Sequence, residues 1–101
     1  MLERIQAQAA ARLYELTRHA LEEMEAELIA EEELLQALTS GQILEDYPTH
    51  SRGACCLVCG YTLSGRPLHV VCTTSLPVLR MITVYEPQLP WWVTPTQRRR
   101  V

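Results

Sequence analysis

Two apolar rhythms predict an α+β fold, with two N-terminal helices packed on an antiparallel sheet of about four strands. Over the first 40 residues apolar side chains recur every three or four positions. From Gln42 onward they gather in short runs bounded by Pro and Gly, which is strand grammar. A length of 101 residues suits one domain. Within it we expect a helical N-terminal extension at 1–15, an α+β core at 16–90 and an irregular tail at 91–101. Hydrophobic residues at 48% make the chain too apolar for disorder.

The helical half carries Leu2, Ile5, Ala9, Leu13, Leu16, Ala20, Met24 and Leu28 on one face, with no Gly or Pro to interrupt it. Leu34, Leu35 and Leu38 resume after a six-residue gap, so a turn near Leu28 to Ala30 is predicted to divide two helices. Glu31 to Glu33 then occupy the first turn of the second helix, where the helix dipole favours negative charge. Gly41 is expected as its C-terminal cap.

Strands are predicted at Gln42 to Tyr47, Ala54 to Thr62, Arg66 to Thr73 and Val78 to Tyr85. Leu63-Ser64-Gly65 is the hairpin turn between the second and third, and Pro87 with Pro90 closes the fourth. Strand alternation puts Pro67, His69 and Val71 on one face, and Leu68, Val70 and Cys72 on the other. By the same rule Thr83 and Tyr85 share a face opposite Ile82 and Val84.

Charge divides the chain. Residues 1–50 hold three Arg against ten Glu and one Asp, a net of −8, while residues 51–101 hold six Arg against one Glu, a net of +5. Such a split either presents a positive surface to a polyanion or pairs with itself. No apolar run reaches the ~18–20 residues of a membrane span, and Met1-Leu2-Glu3-Arg4 lacks the start of a secretion signal. A cytoplasmic location, with no membrane partner, is the expectation.

Cys56-Leu57-Val58-Cys59 and His69-Val70-Val71-Cys72 have the spacing of a tetrahedral zinc site. A strand through this region sends Cys56 and Cys59 to opposite faces, as it does His69 and Cys72, and contains no turn residue for a knuckle. Buried thiols are therefore expected, with no metal or cofactor, and Cys56, Cys59, His69 and Cys72 stand as the alternative ligand set.

A polar cluster of His69, Thr83 and Tyr85 is expected on one sheet face, with Arg66 nearby and His19 on the first helix. Imidazole, phenol, hydroxyl and guanidinium together suit metal-free phosphodiester cleavage: a base for the 2′-hydroxyl, a cation for the phosphate, an acid for the leaving oxygen. The same groups also suit a partly buried polar network. Trp91 and Trp92 either stack on bases or fold back over the sheet, and Arg98 to Arg100 read as a solvated run able to hold phosphate.

Several segments together carry a family resemblance over roughly residues 16–100: Thr17-Arg18-His19-Ala20 with Met24 and the Glu-rich second helix, Gly41, Tyr47, Gly65-Arg66-Pro67-Leu68-His69-Val70-Val71, Ile82-Thr83-Val84-Tyr85-Glu86-Pro87, and Trp92 with the Arg run. They resemble a bacterial family known as domain of unknown function four-two-five-eight. That family is similar in fold to the RelE-like and barnase-like RNases and toxins. The resemblance implies ribonuclease or toxin ancestry, antitoxin-like protein partners, and functional positions at His19, His69 and Tyr85. It also implies two Arg after the helical His, where this chain has Glu23 and Glu27. A carboxylate repels phosphate there, so either catalysis rests on the sheet residues or the activity is lost and the fold kept.

Three functions are thus expected to compete. The first is a metal-independent RNase-like toxin acting on RNA through His19, His69, Arg66, Tyr85 and Thr83. The second is a non-catalytic module that binds an antitoxin-like partner or forms a homodimer. The third is a small zinc-binding protein.

Overall fold

The computed structural model describes residues 1–51, 53–74 and 77–99. Arg52, Arg100 and Val101, counted above in the charge balance and the tail, lie outside them. Ten elements follow in order: α1 (Leu2–Ala10), β1 (Tyr14–Leu16), α2 (Arg18–Ala26), α3 (Glu31–Thr39), β2 (Gln42–Tyr47), β3 (Cys55–Tyr61), β4 (Pro67–Thr73), β5 (Leu79–Tyr85), β6 (Trp92–Thr94) and β7 (Gln97–Arg98). The main sheet has the order β1-β5-β4-β3-β2, and β6 with β7 forms a separate hairpin. The fold is α+β, with three helices and a mixed five-stranded sheet in place of the two helices and all-antiparallel sheet expected.

The first long helix is divided because the chain turns at Arg12, whose φ of 60° is left-handed. Tyr14–Leu16 then extends as an edge strand parallel to β5. Thr17 restarts the helix, its Oγ1 accepting from the Ala20 amide at 3.1 Å as an N-cap. Residues 1–15 are also more than an extension. Ile5 and Ala9 lie in the core, and Gln6 Nε2 donates to the Leu38 and Thr39 carbonyls at 3.0 and 3.2 Å, serving orphan acceptors at the end of α3. The turn expected at Leu28 to Ala30 is present, with Leu28 at φ 55°.

The remaining strands fall within a residue of the sequence reading. The turn from Thr62 to Arg66 closes with Thr62 N–H on the Arg66 carbonyl at 2.9 Å, and Gly65 takes φ 87°. Cys56, Val58, Leu68, Val70 and Cys72 face the helices, as alternation requires. Ile82 departs from its expected face: a register shift between Val71 and Cys72 lets it line a cleft beside Thr83 and Val71.

Two glycines set how closely α3 lies on β3. A Cβ on Gly60 would stand 1.7 Å from the Ala37 carbonyl oxygen, and one on Gly41 would stand 2.5 Å from Val58 Cγ1. Gly41 directly follows the α3 C-cap Ser40, where the helix end was expected, and serves close packing without a left-handed φ. The tail is also ordered differently from expectation, since Trp92–Thr94 and Gln97–Arg98 pair as a hairpin.

Gly60→Ala should lower unfolding free energy by about 3 kcal/mol or more, because backbone and not a flexible side chain occupies the space. Gly65→Ala, at a turn open to solvent, should cost about 1 kcal/mol. Urea titration of both variants checks the contrast, and equal losses would contradict this packing.

Candidate functional site

Antiparallel pairing of β4 with β5 sets His69 opposite Tyr85 and Val71 opposite Thr83. His69 Nε2 lies 2.6 Å from the Pro95 carbonyl oxygen, and Nδ1 lies 3.1 Å from the Tyr85 hydroxyl. A carbonyl only accepts, so Nε2 carries the proton, and the neutral ring accepts from Tyr85 at Nδ1. Trp92 packs edge-on against the imidazole, centroids 4.3 Å apart. The donors run one way, from Tyr85 to His69 to Pro95. His69 is 0% exposed. Burial lowers its pKa and raises that of Tyr85.

The hairpin that buries His69 is clamped at its far strand. Arg98 forks onto Glu45 of β2, Nε to Oε2 at 2.6 Å and Nη2 to Oε1 at 2.8 Å, while its guanidinium lies 4.6 Å over the Trp92 ring. Tyr47 donates its hydroxyl to the same carboxylate. The hydrogen bond from Arg98 lowers the Glu45 pKa, and burial leads in pushing Tyr47 up to about 12. Arg98 is thus ion-paired while its side chain stays 53% exposed.

Arg66 does not join His69. Even-numbered positions on β4 face the helices, and Arg66 follows that parity. Its Nε donates to Glu86 at 2.6 Å, while Nη2 and Nη1 donate to the Glu27 and Leu28 carbonyls at 2.7 and 3.1 Å. Glu33 stands 3.6 Å from Nη1. The guanidinium caps the end of α2 and ties it to the adjacent ends of β4 and β5. His19 also stands apart, with its side chain 59% exposed and Nε2 3.3 Å from Glu23. Thr83 is half-buried in the cleft of about 480 Å³ that also holds Asp46, Tyr47 and His50. Thr83 thus shares the sheet face of His69 and Tyr85, but only these two are in contact, and Arg66 and His19 stand apart.

Glu23 and Glu27 have structural work that Arg could not do. The β1–β5 pairing covers Leu79 to Met81, which leaves later β5 amides without a strand partner. Glu23 Oε1 accepts from Val84 N–H at 2.9 Å, and Glu27 Oε1 from Glu86 N–H at 3.0 Å. Burial raises the Glu23 pKa despite that hydrogen bond.

The candidate zinc ligands divide between the two sheet faces. Cys56 and Cys72 are direct cross-strand partners on the helix side, whereas Cys59 is opposite His69 on the other. One ion cannot gather all four without breaking β3. Among the described residues no three His, Cys, Asp or Glu side chains form a metal-holding group. All four cysteines are buried free thiols. A hydrogen bond to Cys56, with burial, raises the Cys72 pKa.

A cleft of about 490 Å³ lies beside Tyr85, walled by Glu27, Glu86, Leu89, Trp91, Trp92 and Arg98. Sequence reading missed Glu27 and Glu45 as contributors. An i, i+4 pair of Glu beside a strand that outruns its neighbour is the signal for the first; nothing local marks the second.

A family model described as Domain of unknown function (DUF4258) matches residues 16–86. The chain belongs to that family. The match ends at Glu86, so α1 and the Trp92 hairpin lie outside the family's matched span. Comparison with curated proteins and with solved structures gives no match. Among the described residues no helix is long and apolar enough to cross a membrane.

Burial lowers the His69 pKa below its usual 6.5, so below that value the unfolded chain binds the extra proton. Stability should be complete above about pH 6.5 and fall toward pH 5, with a slope of at most about 1.4 kcal/mol per unit. Denaturant titrations of the parent and His69→Gln across this range check it: the variant should lose the slope, and an unsloped parent refutes the burial argument.

Proposed function

We propose that this chain is a non-catalytic protein-interaction module built on a frame of RelE-like, RNase-toxin ancestry. The observation that carries the reading is the commitment of the nuclease-type groups to the fold. His69 has both ring nitrogens engaged and no exposed surface. The Arg66 guanidinium is spent on Glu86 and two carbonyls. A general base must reach the proton it removes, and a phosphate clamp must have donors to offer.

Electrostatics supports the same reading. Arg66, Arg80 and Arg98 of the basic half pair with Glu33, Glu15 and Glu45 of the acidic half. The charge split is thus consumed internally to this extent, and a positive track for RNA is not assembled from these residues. Trp91 and Leu89, 74% and 72% exposed at the cleft, suit a protein partner, because burying large apolar groups drives association.

The ribonuclease reading retains one favourable observation, the contact between His69 and Tyr85. It requires the Trp92 hairpin to lift from the imidazole before any substrate can enter.

Incubation of the purified chain with labelled single-stranded RNA, with and without chelator, should leave the RNA intact. Expression in a bacterium should not arrest growth. Tyr85→Phe should cost about 1 kcal/mol of stability and change neither result. Cleavage that disappears in Tyr85→Phe while the protein stays folded would reverse the proposal.

A further inference from the structure

We propose that the cleft beside Tyr85 receives an arginine side chain from a partner protein, holding its guanidinium between the Trp91 indole and the Glu27 carboxylate. This rests on the interaction-module reading and names what that module recognises.

The charges lining the cleft differ in how fully they are answered. Arg98 is neutralised by its fork to Glu45, and one Glu86 oxygen takes Arg66 Nε. Glu27 accepts a backbone amide and has no ion-pair partner among the described residues. The cleft therefore presents one negative charge without a cation, and an incoming phosphate would meet Glu27 and Glu86 together. An anion is disfavoured and a cation favoured.

The aromatic wall makes the same selection. An indole face is electronegative and attracts a cation, most strongly a planar guanidinium that can stack on it. The chain already uses this chemistry once, with Arg98 lying over Trp92. Trp91 immediately precedes it, lines the same cleft, is exposed, and has no ring or cation contact among the described residues. A volume of about 490 Å³ is ample for an arginine side chain. Exposed Leu89 at the cleft and exposed Leu28, next in chain to Glu27, offer apolar contacts to the flanking residues of a polypeptide rather than to a free small cation.

Trp91 and Trp92 are the only two tryptophans and both line the cleft, so intrinsic fluorescence reports on it directly. N-acetyl-L-arginine amide should produce a saturable change, and the neutral isostere N-acetyl-L-citrulline amide should bind about tenfold more weakly. Glu27→Gln should weaken the arginine amide about fivefold, and Trp91→Ala should remove its binding with the melting temperature held. Glu22→Gln, on the exposed face of α2, should change nothing. Since Glu27 also holds the Glu86 amide, Trp91→Ala remains the decisive variant if Glu27→Gln melts early. Equal binding of the two amides, or no saturable change up to about 100 mM, overturns the arginine site while leaving a protein-binding surface possible. RNA cleavage would instead overturn the module reading, whatever the amides do.

Discussion

Strand β5 outruns its edge neighbour, and the need to satisfy its later backbone acceptors and donors organises much of the molecule. β1 pairs with Leu79 to Met81 only. Beyond it, Thr17 takes over by donating its N–H to Met81 and its hydroxyl to Ile82, at 3.1 and 3.0 Å. Glu23 and Glu27 then accept from Val84 and Glu86. A buried amide without a partner is costly, so one helix face substitutes for a strand. This fixes α2 along the sheet edge, sets Glu27 at the cleft beside Tyr85, and brings the end of α2 within reach of Arg66.

The same accounting changes the chemistry available. Groups that would serve phosphodiester cleavage are present, yet His69 and Arg66 satisfy structural demands. His69 fills the apolar space beneath Trp92 as a neutral ring with both nitrogens bonded. Arg66 serves carbonyls at a helix end, where its charge also complements the dipole. Charges separated along the sequence meet in space as Arg80 with Glu15 and Arg98 with Glu45. What remains on the surface near Tyr85 is a cleft that sets Leu89 and Trp91 beside Glu27, Glu86 and the ion-paired Arg98.

The Trp92 hairpin decides which sheet residues can act. Without it the β4–β5 face would expose His69 and Tyr85 side by side. With it, His69 is fully buried and Tyr85 half-buried beside a hairpin held by Glu45, Arg98 and Tyr47. This hairpin lies beyond the span matched to the family, so the matched core and the element that closes it are distinct parts of the chain.

Local pattern determined the α+β class, the four strands from Gln42 to Tyr85, the turn at Gly65 and the division of the cysteines between faces. Each follows from alternation or φ preference over a few neighbouring residues. Even the separation of Arg66 from His69 was implicit in odd and even numbering. Tertiary structure decided the rest: that Tyr14–Leu16 leaves a helical run to border β5, that Gly60 admits a helix backbone, and that Arg98 crosses to Glu45. These outcomes depend on partners distant in sequence, and the free energy of a hydrogen bond or close contact exists only once the chain has brought both sides together.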